Sequence, residues 1–364
     1  MGYRSRYLNI VAVGGEPALP YLLGSTFRLG AGARPYRVVG YNPNGVCGAL
    51  LPSPSGRFLM YGVSRHGWPA LEVLDLFTGA RFLFHAHACD PAWGVEDQIA
   101  YVHYVSFSVD SGGYGRIVVQ HGLGGTPRAW TRDAAWTGPI WAGEALLASN
   151  DSVGGSQCPL EIIYGAGRQR GVDRHTRKFE GPCSTVVALN PQGTEALLDT
   201  QRLGPGGGGQ GSEDLATLLR VSDGTVLSTV RIGMNEQGAV VALAPDGDWS
   251  GDEVITTGGI FSGGSSHPPA ALVTLTIIAN HVQLHSAKQF LEQDSPPMGQ
   301  NLAFASQARF LDASGDRIAV WFGGLGHLQY VACDTVTERC AASRNYGDPW
   351  AGTAGVFVSN PSRP

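Results

Sequence analysis

One pattern recurs down this chain and limits its fold more than any other feature. An apolar run leads into a small polar turn, then a second apolar run, then a glycine-rich loop and one or two further apolar runs. The clearest copy, residues 49–84, reads ALLPSPSGRFLMYGVSRHGWPALEVLDLFTGARFLF. Later copies open with DPAWGVEDQIAYV at 90, GPIWAGEALLAS at 138, VVALNPQGTEALLD at 186, VVALAPDGDWSGDEVITTG at 240 and ARFLDASGDRIAVWFG at 308. Their starts lie roughly 40 to 65 residues apart, a period that signals propellers and related arrays. The runs are rich in β-branched and aromatic residues bounded by Gly, Pro, Asp and Ser, as strands are. Second hairpins follow in LEVLDLFTGARFLF, LLRVSDGTVLSTVRI and LQYVACDTVTERCAAS, so each unit supplies four strands, the blade of a propeller.

The expectation is an all-β single domain over residues 1–364, a β-propeller of four-stranded blades. The chain end, AGTAGVFVS, reads as one more first strand, and the chain start supplies strands that lack one. Joined, they make a seventh blade that closes the ring and removes exposed edges. Six blades with an N-terminal extension is the alternative count. Ser53, Gly94, Asn190, Pro245 and Ser314 should then fall in nearby positions of the turn after successive first strands.

Composition narrows the function classes. Of 364 residues, 43% are hydrophobic and only 15% charged, and the net charge of −5 argues against nucleic acid or an anionic membrane held by bulk electrostatics. No stretch approaches the ~18 apolar residues of a membrane span, and no signal-peptide pattern opens the chain. Glycine, at 52 residues, lies in short clusters between apolar runs, as turn punctuation does. Six cysteines without a C-x2-C pair favour disulfides over a zinc ribbon, and hence an extracellular, periplasmic or cell-surface location whose leader this sequence does not carry.

The phrases SPSGRFLMY, DPAWGVEDQIAYV and LAPDGDWSGDEVI resemble the WSPDG…IAY repeat of TolB-like, WD40-like bacterial β-propellers. The resemblance spans most of residues 45–345 and implies the propeller fold rather than a particular function. Only Pro245-Asp246-Gly247 keeps the full Pro-Asp-Gly turn; other copies read PSG, VED, PQG and ASG.

The stretch FHAHACDPAW, residues 84–93, carries the sharpest chemical question. If it is extended, His85, His87 and Cys89 share a face, with Asp90 or His66 as a further donor, and imidazole and thiolate suit zinc. When the repeats are aligned, however, the two histidines fall where an outermost strand crosses to the next blade's innermost strand. Cys47 and Cys89 sit at equivalent places in adjacent blades, and a disulfide between them would remove the sulfur from any metal. The reading adopted is a structural seam, with no metal or other cofactor expected, though a structural calcium is compatible with the many turn carboxylates. Cys333 and Cys340 flank DTVTER at opposite ends of one hairpin, the geometry of a facing pair, which leaves Cys158 with Cys183. Zinc ligation by the same cysteines is the alternative.

No G-x-S-x-G elbow occurs, GPGGGGQG at 204 lacks the Lys-Ser/Thr of a P-loop, and the Ser265, Ser266, His267 neighbours form no oriented triad. Trp68, Tyr114, Trp130, Trp136 and Trp350 are loop aromatics that could stack on sugars or anchor a protein, against the ordinary role of packing between blades. The expected function is a secreted or envelope-associated binding or scaffold module whose loops contact a protein or a glycan. Two rivals stand beside it. One is an extracellular polysaccharide lyase or glycoside hydrolase with its site at the central channel; the other is a structural subunit of a surface assembly.

Overall fold

The computed structural model describes residues 5–12, 21–24, 34–41, 47, 50–94, 97–108, 112–151, 159–164, 176–178, 184–202, 213–232, 240–243, 247–261, 270–289, 304–310, 317–324, 327–334, 339–340, 344–345 and 355–358. Among them there is no α-helix; every named element is a strand. The opening strands are β1 (Ser5–Ala12), β2 (Tyr21–Gly24) and β3 (Arg34–Tyr41), followed by β4 (Leu50–Pro52), β5 (Phe58–Arg65), β6 (Trp68–Asp75) and β7 (Arg81–Ala86). The second group is β8 (Ala88–Trp93), β9 (Gln98–Ser108), β10 (Gly112–His121) and β11 (Arg128–Ala129). The third is β12 (Trp136–Ala142), β13 (Ala145–Asn150), β14 (Leu160–Tyr164) and β15 (Thr176–Lys178). The fourth is β16 (Ser184–Leu189), β17 (Glu195–Arg202), β18 (Glu213–Arg220) and β19 (Thr225–Arg231). Next come β20 (Val240–Leu243), β21 (Asp248–Ser250), β22 (Glu253–Phe261), β23 (Ala270–Ile278) and β24 (His281–Gln289). The last are β25 (Phe304–Phe310), β26 (Arg317–Gly324), β27 (His327–Asp334), β28 (Arg339–Cys340), β29 (Arg344–Asn345) and β30 (Gly355–Val358).

These pair as antiparallel sheets in chain order: β8 to β11, β12 to β15 and β16 to β19 are four-stranded meanders. Two later sheets have the same path with one short strand added, β21 beside β22 and β29 beside β27. The first sheet departs from the four-strand expectation. It has eight strands, because β3 continues onto β5 through the single pair Tyr41↔Val63 and so joins β30-β2-β1-β3 to β4-β5-β6-β7. The last strand of the chain, β30, is hydrogen-bonded to β2, from Tyr21↔Val358 to Gly24↔Gly355.

The chain divides into two compact units. One comprises Met1–Val153, Glu161–Thr176 and Gly347–Pro364; the other comprises Gly154–Leu160 and Arg177–Tyr346. In the first unit, sheets stack face to face. Met60, Leu71 and Val73 meet Ile99, Tyr101 and Val118 in one layer, and Val102, Ile117 and Val119 meet Trp141, Leu146 and Ile163 in the next. The second unit does the same with Leu197, Leu218, Trp249, Val254 and Leu275. Each such Leu, Val or Ile removed from water contributes about 1.5–3 kcal/mol, so these layers dominate the stability of both units.

The turns after first strands are built alike. Ser53 and Asn190 each close one: Ser53 N–H bonds the Phe58 carbonyl and Asn190 N–H the Glu195 carbonyl. Their side chains serve the same loop, Ser53 Oγ accepting the Phe58 N–H and Asn190 Oδ1 the N–H groups of Thr194 and Glu195. Gly94 N–H bonds the Gln98 carbonyl at the equivalent place after β8. Pro245 and Ser314 lie outside the described residues.

Two first strands carry a second shared device, legible as DPAW and GPIW. Pairing of β8 with β9 skips from Cys89 to Ala92, and pairing of β12 with β13 skips from Thr137 to Ile140. The skipped residues are Asp90 with Pro91 and Gly138 with Pro139, and Asp90 and Gly138 take positive φ of 48° and 54°. Each bulge tips the following tryptophan back onto the preceding sheet. Trp93 Nε1 donates to the Leu51 carbonyl at 3.3 Å, and Trp141 Nε1 to the Ala92 carbonyl at 3.2 Å. Gly94 makes room for the second ring, since a Cβ there would lie 2.8 Å from the Trp141 indole. Gly94→Ala should therefore destabilise the protein by about 1–3 kcal/mol through overpacking, and Trp141→Ala by about 3–5 kcal/mol. Urea midpoints measure both; an unchanged midpoint for either would contradict this packing.

Candidate functional site

The seam at FHAHACDPAW is where the chain's chemistry-bearing residues concentrate. β7 ends at Ala86 and β8 begins at Ala88, so only His87 separates an outermost strand from the next sheet's first strand. His87 turns the chain with φ 55°. Such a left-handed conformation costs a non-glycine residue about 1 kcal/mol or more, offset here by two local contacts. The His87 carbonyl accepts the Tyr104 N–H at 2.7 Å, and its ring stacks on Trp68 at 4.2 Å and 19°. This turn corrects the extended reading of the motif. The alternation of side chains breaks at His87, and the two histidines acquire different partners.

His85 sits inside the layer between β4–β7 and β8–β11. Its Nε2 is 2.6 Å from Gln120 Oε1, its ring stacks on Tyr101 at 4.6 Å, and Phe84 meets it edge-on at 4.5 Å. Cys89 is fully buried and bonded to Cys47, with 5.5 Å between their Cα atoms. β5 carries Gly62 where the Cys47 backbone crosses it, because a Cβ there would overlap the Cys47 carbonyl. The disulfide thus ties the segment before β4 to the first strand of the next sheet, and its sulfur is not a metal ligand. Among the described residues, no three His, Cys, Asp or Glu side chains converge as a metal site.

Asp90 is the carboxylate of the seam that burial perturbs. Held in the left-handed region on its bulge, it stays half-buried, and burial pushes its carboxyl up to about 6 against the pull of one backbone N–H from Gly138. The bond joins the two equivalent bulges of β8 and β12. Tyr104 beside it is raised by burial and by the Asp90 charge. His103, register partner of Arg116, is lowered by burial and by His87, His85 and Arg116, with Asp133 acting in the opposite sense. Arg116 itself is held by Asp133 through two bonds of 2.7 and 3.0 Å. On β6, buried Glu72 accepts from Tyr61 Oη at 2.7 Å and pairs with Arg65.

Aromatic faces reach solvent at the outer end of this seam. His66 and Gly67, both at positive φ (51° and 82°), form the two-residue turn that starts β6 at Trp68. Trp68 is half-buried, with exposed His87 against one face and half-buried Phe107 tilted at 6.3 Å; Tyr104 backs Phe107 at 5.5 Å. This shelf combines Trp68 with His87 and Phe107, two residues that only the fold brings to it. Of the other loop aromatics, Tyr114 is 46% exposed, Trp130 packs edge-on against Trp141, and Trp136 is buried in the core. Trp350 lies outside the described residues, as do Cys158, Cys183, Ser265, Ser266, His267 and the 204–211 loop. Cys333 and Cys340 are register partners across β27 and β28, at opposite ends of their hairpin; their side chains lie outside the described ones.

No family model and no curated protein matches the chain. Solved structures do, all at low identity. A protein from Lactobacillus plantarum superposes with TM-score 0.56 at 10% identity, over 97% of this chain and 99% of that one. A 6-phosphogluconolactonase structure from Bacteroides uniformis gives TM-score 0.52 at 12% identity, over 98% and 100%. Pyrococcus horikoshii acylaminoacyl peptidase gives 0.52 at 13% over 95% of this chain, which spans 51% of that enzyme. TolB from Acinetobacter baumannii also matches, at TM-score 0.41 and 15% identity over 78% of this chain, which spans 64% of TolB. The fuller superpositions carry the fold: an all-β, propeller-like arrangement of antiparallel sheets.

Two outcomes follow from the seam. Reduction of the Cys47–Cys89 bond should lower stability by about 2–4 kcal/mol, measured as a shift in urea midpoint, since it releases a long loop in the unfolded chain. Asp90 has a folded pKa above the ordinary carboxylate value of about 3.9, so its contribution to stability is present below pH 4 and lost as pH rises through about 6. Relative to wild type, Asp90→Asn should therefore gain about 2 kcal/mol of stability at pH 7 over its stability at pH 4. An identical pH slope in both proteins would contradict the burial of this carboxyl.

Proposed function

We propose that the protein is a secreted or cell-envelope β-propeller of seven four-stranded blades, its ring closed where β30 meets β2, that binds a glycan at the Trp68 shelf. The seven-blade reading draws support from the grouping of strands in fours once the first sheet is divided at Tyr41↔Val63. The Cys47–Cys89 bond is in keeping with an oxidising compartment. The observation that carries the binding role is the shelf itself, Trp68, His87 and Phe107, with exposed His66 beside it. The C–H face of a sugar ring packs against such flat apolar surfaces, and the two imidazole edges supply hydrogen bonds at the rim. Behind the shelf, His85, Cys89 and Arg116 are each committed to a structural partner, as expected of a rigid platform.

The enzyme reading is favoured by one observation, the half-buried Asp90 carboxyl raised to about 6 and thus able to trade a proton near neutral pH. A structural neighbour named as a 6-phosphogluconolactonase makes lactone hydrolysis a substrate class to include.

Calorimetric titration against a panel of soluble polysaccharides and oligosaccharides tests the binding role. Wild-type protein should bind at least one glycan, and Trp68→Ala with Phe107→Ala should weaken it tenfold or more, circular dichroism remaining that of folded sheet. Binding indifferent to both substitutions would remove the shelf from the account. Glycan or lactone turnover abolished by Asp90→Asn would put the enzyme reading first.

A further inference from the structure

The outermost strand of the first sheet, β7, is hydrogen-bonded to β6 alone among the described strands, so its other edge is open. An open edge invites pairing with another chain, and folds commonly blunt it by keeping outer strands short. β11 and β15 show that device, with two and three residues. β7 has six. Its Phe82 and Leu83, 41% and 42% exposed, are the only sequence neighbours among the exposed large apolar side chains of the described residues. Phe77, 44% exposed, stands on the turn that leads into them.

That turn is held from within. Asp75 Oδ1 accepts the N–H groups of Phe77 and Thr78 at 2.8 and 3.2 Å, Thr78 Oγ1 accepts the Ala80 N–H, and Gly79 takes φ 73°. Asp75 also sets which backbone groups of β7 face out. Its carbonyl takes the Gly79 N–H and its N–H donates to the Ala80 carbonyl, which closes one hydrogen-bonded rung. Rungs alternate along an antiparallel ladder, so Phe82 turns its backbone to Val73. Arg81 and Leu83, opposite Leu74 and Glu72, turn theirs outward, and the bulge between Leu83 and His85 ends the regular edge.

Charge selects what can pair there. Glu72 and Asp75 are the only carboxylates in residues 50–88, and both are buried. Arg57 takes Asp75 through bonds of 3.3 and 3.0 Å. Glu72 is spent on Arg65 and the Tyr61 hydroxyl, and Arg81 reaches it only at 4.0 Å. Two guanidinium groups thus share one carboxylate, and the surplus positive charge lies on the open strand. A second copy pairing through β7 would bring another Arg81 and no exposed carboxylate, which disfavours self-pairing. A strand with an acidic residue opposite Arg81 and apolar residues opposite Phe82 and Leu83 satisfies the backbone, the charge and the apolar surface together.

We infer that β7 accepts, by antiparallel strand addition, an extended segment of a partner protein that reads apolar-apolar-acidic. The surface uses no residue of the Trp68 shelf and does not depend on glycan binding.

The probe is the capped peptide Ser-Thr-Val-Val-Glu-Ser, titrated into the full chain and followed by NMR. Backbone amide shifts should centre on Arg81, Phe82 and Leu83. Replacing the peptide's Glu by Gln should weaken binding about threefold to fivefold, and Arg81→Gln should erase that difference. N-methylation of the first Val or of the Glu, whose N–H groups donate to the Leu83 and Arg81 carbonyls, should weaken binding about tenfold or more. N-methylation of the second Val, whose N–H points away from β7, should leave binding intact. Equal affinity of the three N-methyl peptides, or shifts that avoid β7, would overturn strand addition. Glu and Gln peptides of equal affinity for the wild type would overturn the acidic partner. A dimer in sedimentation that Leu83→Pro dissolves would make a second copy the occupant, and binding to phosphatidylglycerol vesicles in place of the peptide would make it a membrane; either overturns the inference.

Discussion

The structure depends on how one sheet is fastened to the next. Each meander buries apolar side chains on both faces, so no sheet is stable alone, and its neighbours must be held at a fixed offset. In the first unit that offset is set by a bulge and a tryptophan. The bulge at Asp90 and Pro91, repeated at Gly138 and Pro139, breaks the pairing of a first strand and sends an indole N–H to the previous first strand. The Cys47–Cys89 bond adds a covalent tie at the same level. In the second unit a backbone bond does similar work, Gly247 N–H reaching the carbonyl of Val187, the residue skipped in the pairing of β16 with β17.

The proposed binding role depends on this fastening because it frees the loops. With first strands locked, the turns at either end of each sheet need only satisfy their own backbone, as Ser53 and Asn190 do. Their outward side chains are then available for recognition. The seam shows the other consequence. Crossing between sheets in a single residue forces His87 into a left-handed turn, which moves its ring out onto Trp68 and leaves His85 within the layer. A motif that looks like a ligand set in sequence becomes half buried contact and half exposed shelf.

Much of the fold was legible in the sequence, for a physical reason. Strand composition, turn chemistry and a repeat near fifty residues are local properties, so the all-β meanders, the crossing between Phe84 and Ala88, and the Cys47–Cys89 pairing follow from them. The fusion of the first sheet at Tyr41↔Val63 was not legible, because it rests on one backbone pair without a sequence mark. Nor could alternation along FHAHACDPAW anticipate positive φ at His87 and Asp90, since neither is glycine. A usable signal did exist: Asp90 aligns with Gly138 in DPAW and GPIW, and a glycine at one copy hints at left-handed backbone in both. Phe107 is joined to Trp68 and Tyr104 only by tertiary packing, which spacing cannot reveal.

The central claim, that repeated bulge-and-tryptophan contacts lock successive sheets together, is tested most directly by hydrogen exchange at two indoles. The Nε1–H groups of Trp93 and Trp141 can be followed individually by NMR in the native protein. If they bind the carbonyls of Leu51 and Ala92 between packed sheets, both should exchange only through global unfolding, at the rate of the slowest core amides. Exchange of either indole at the rate of an exposed tryptophan, with core amides still protected, would contradict the account.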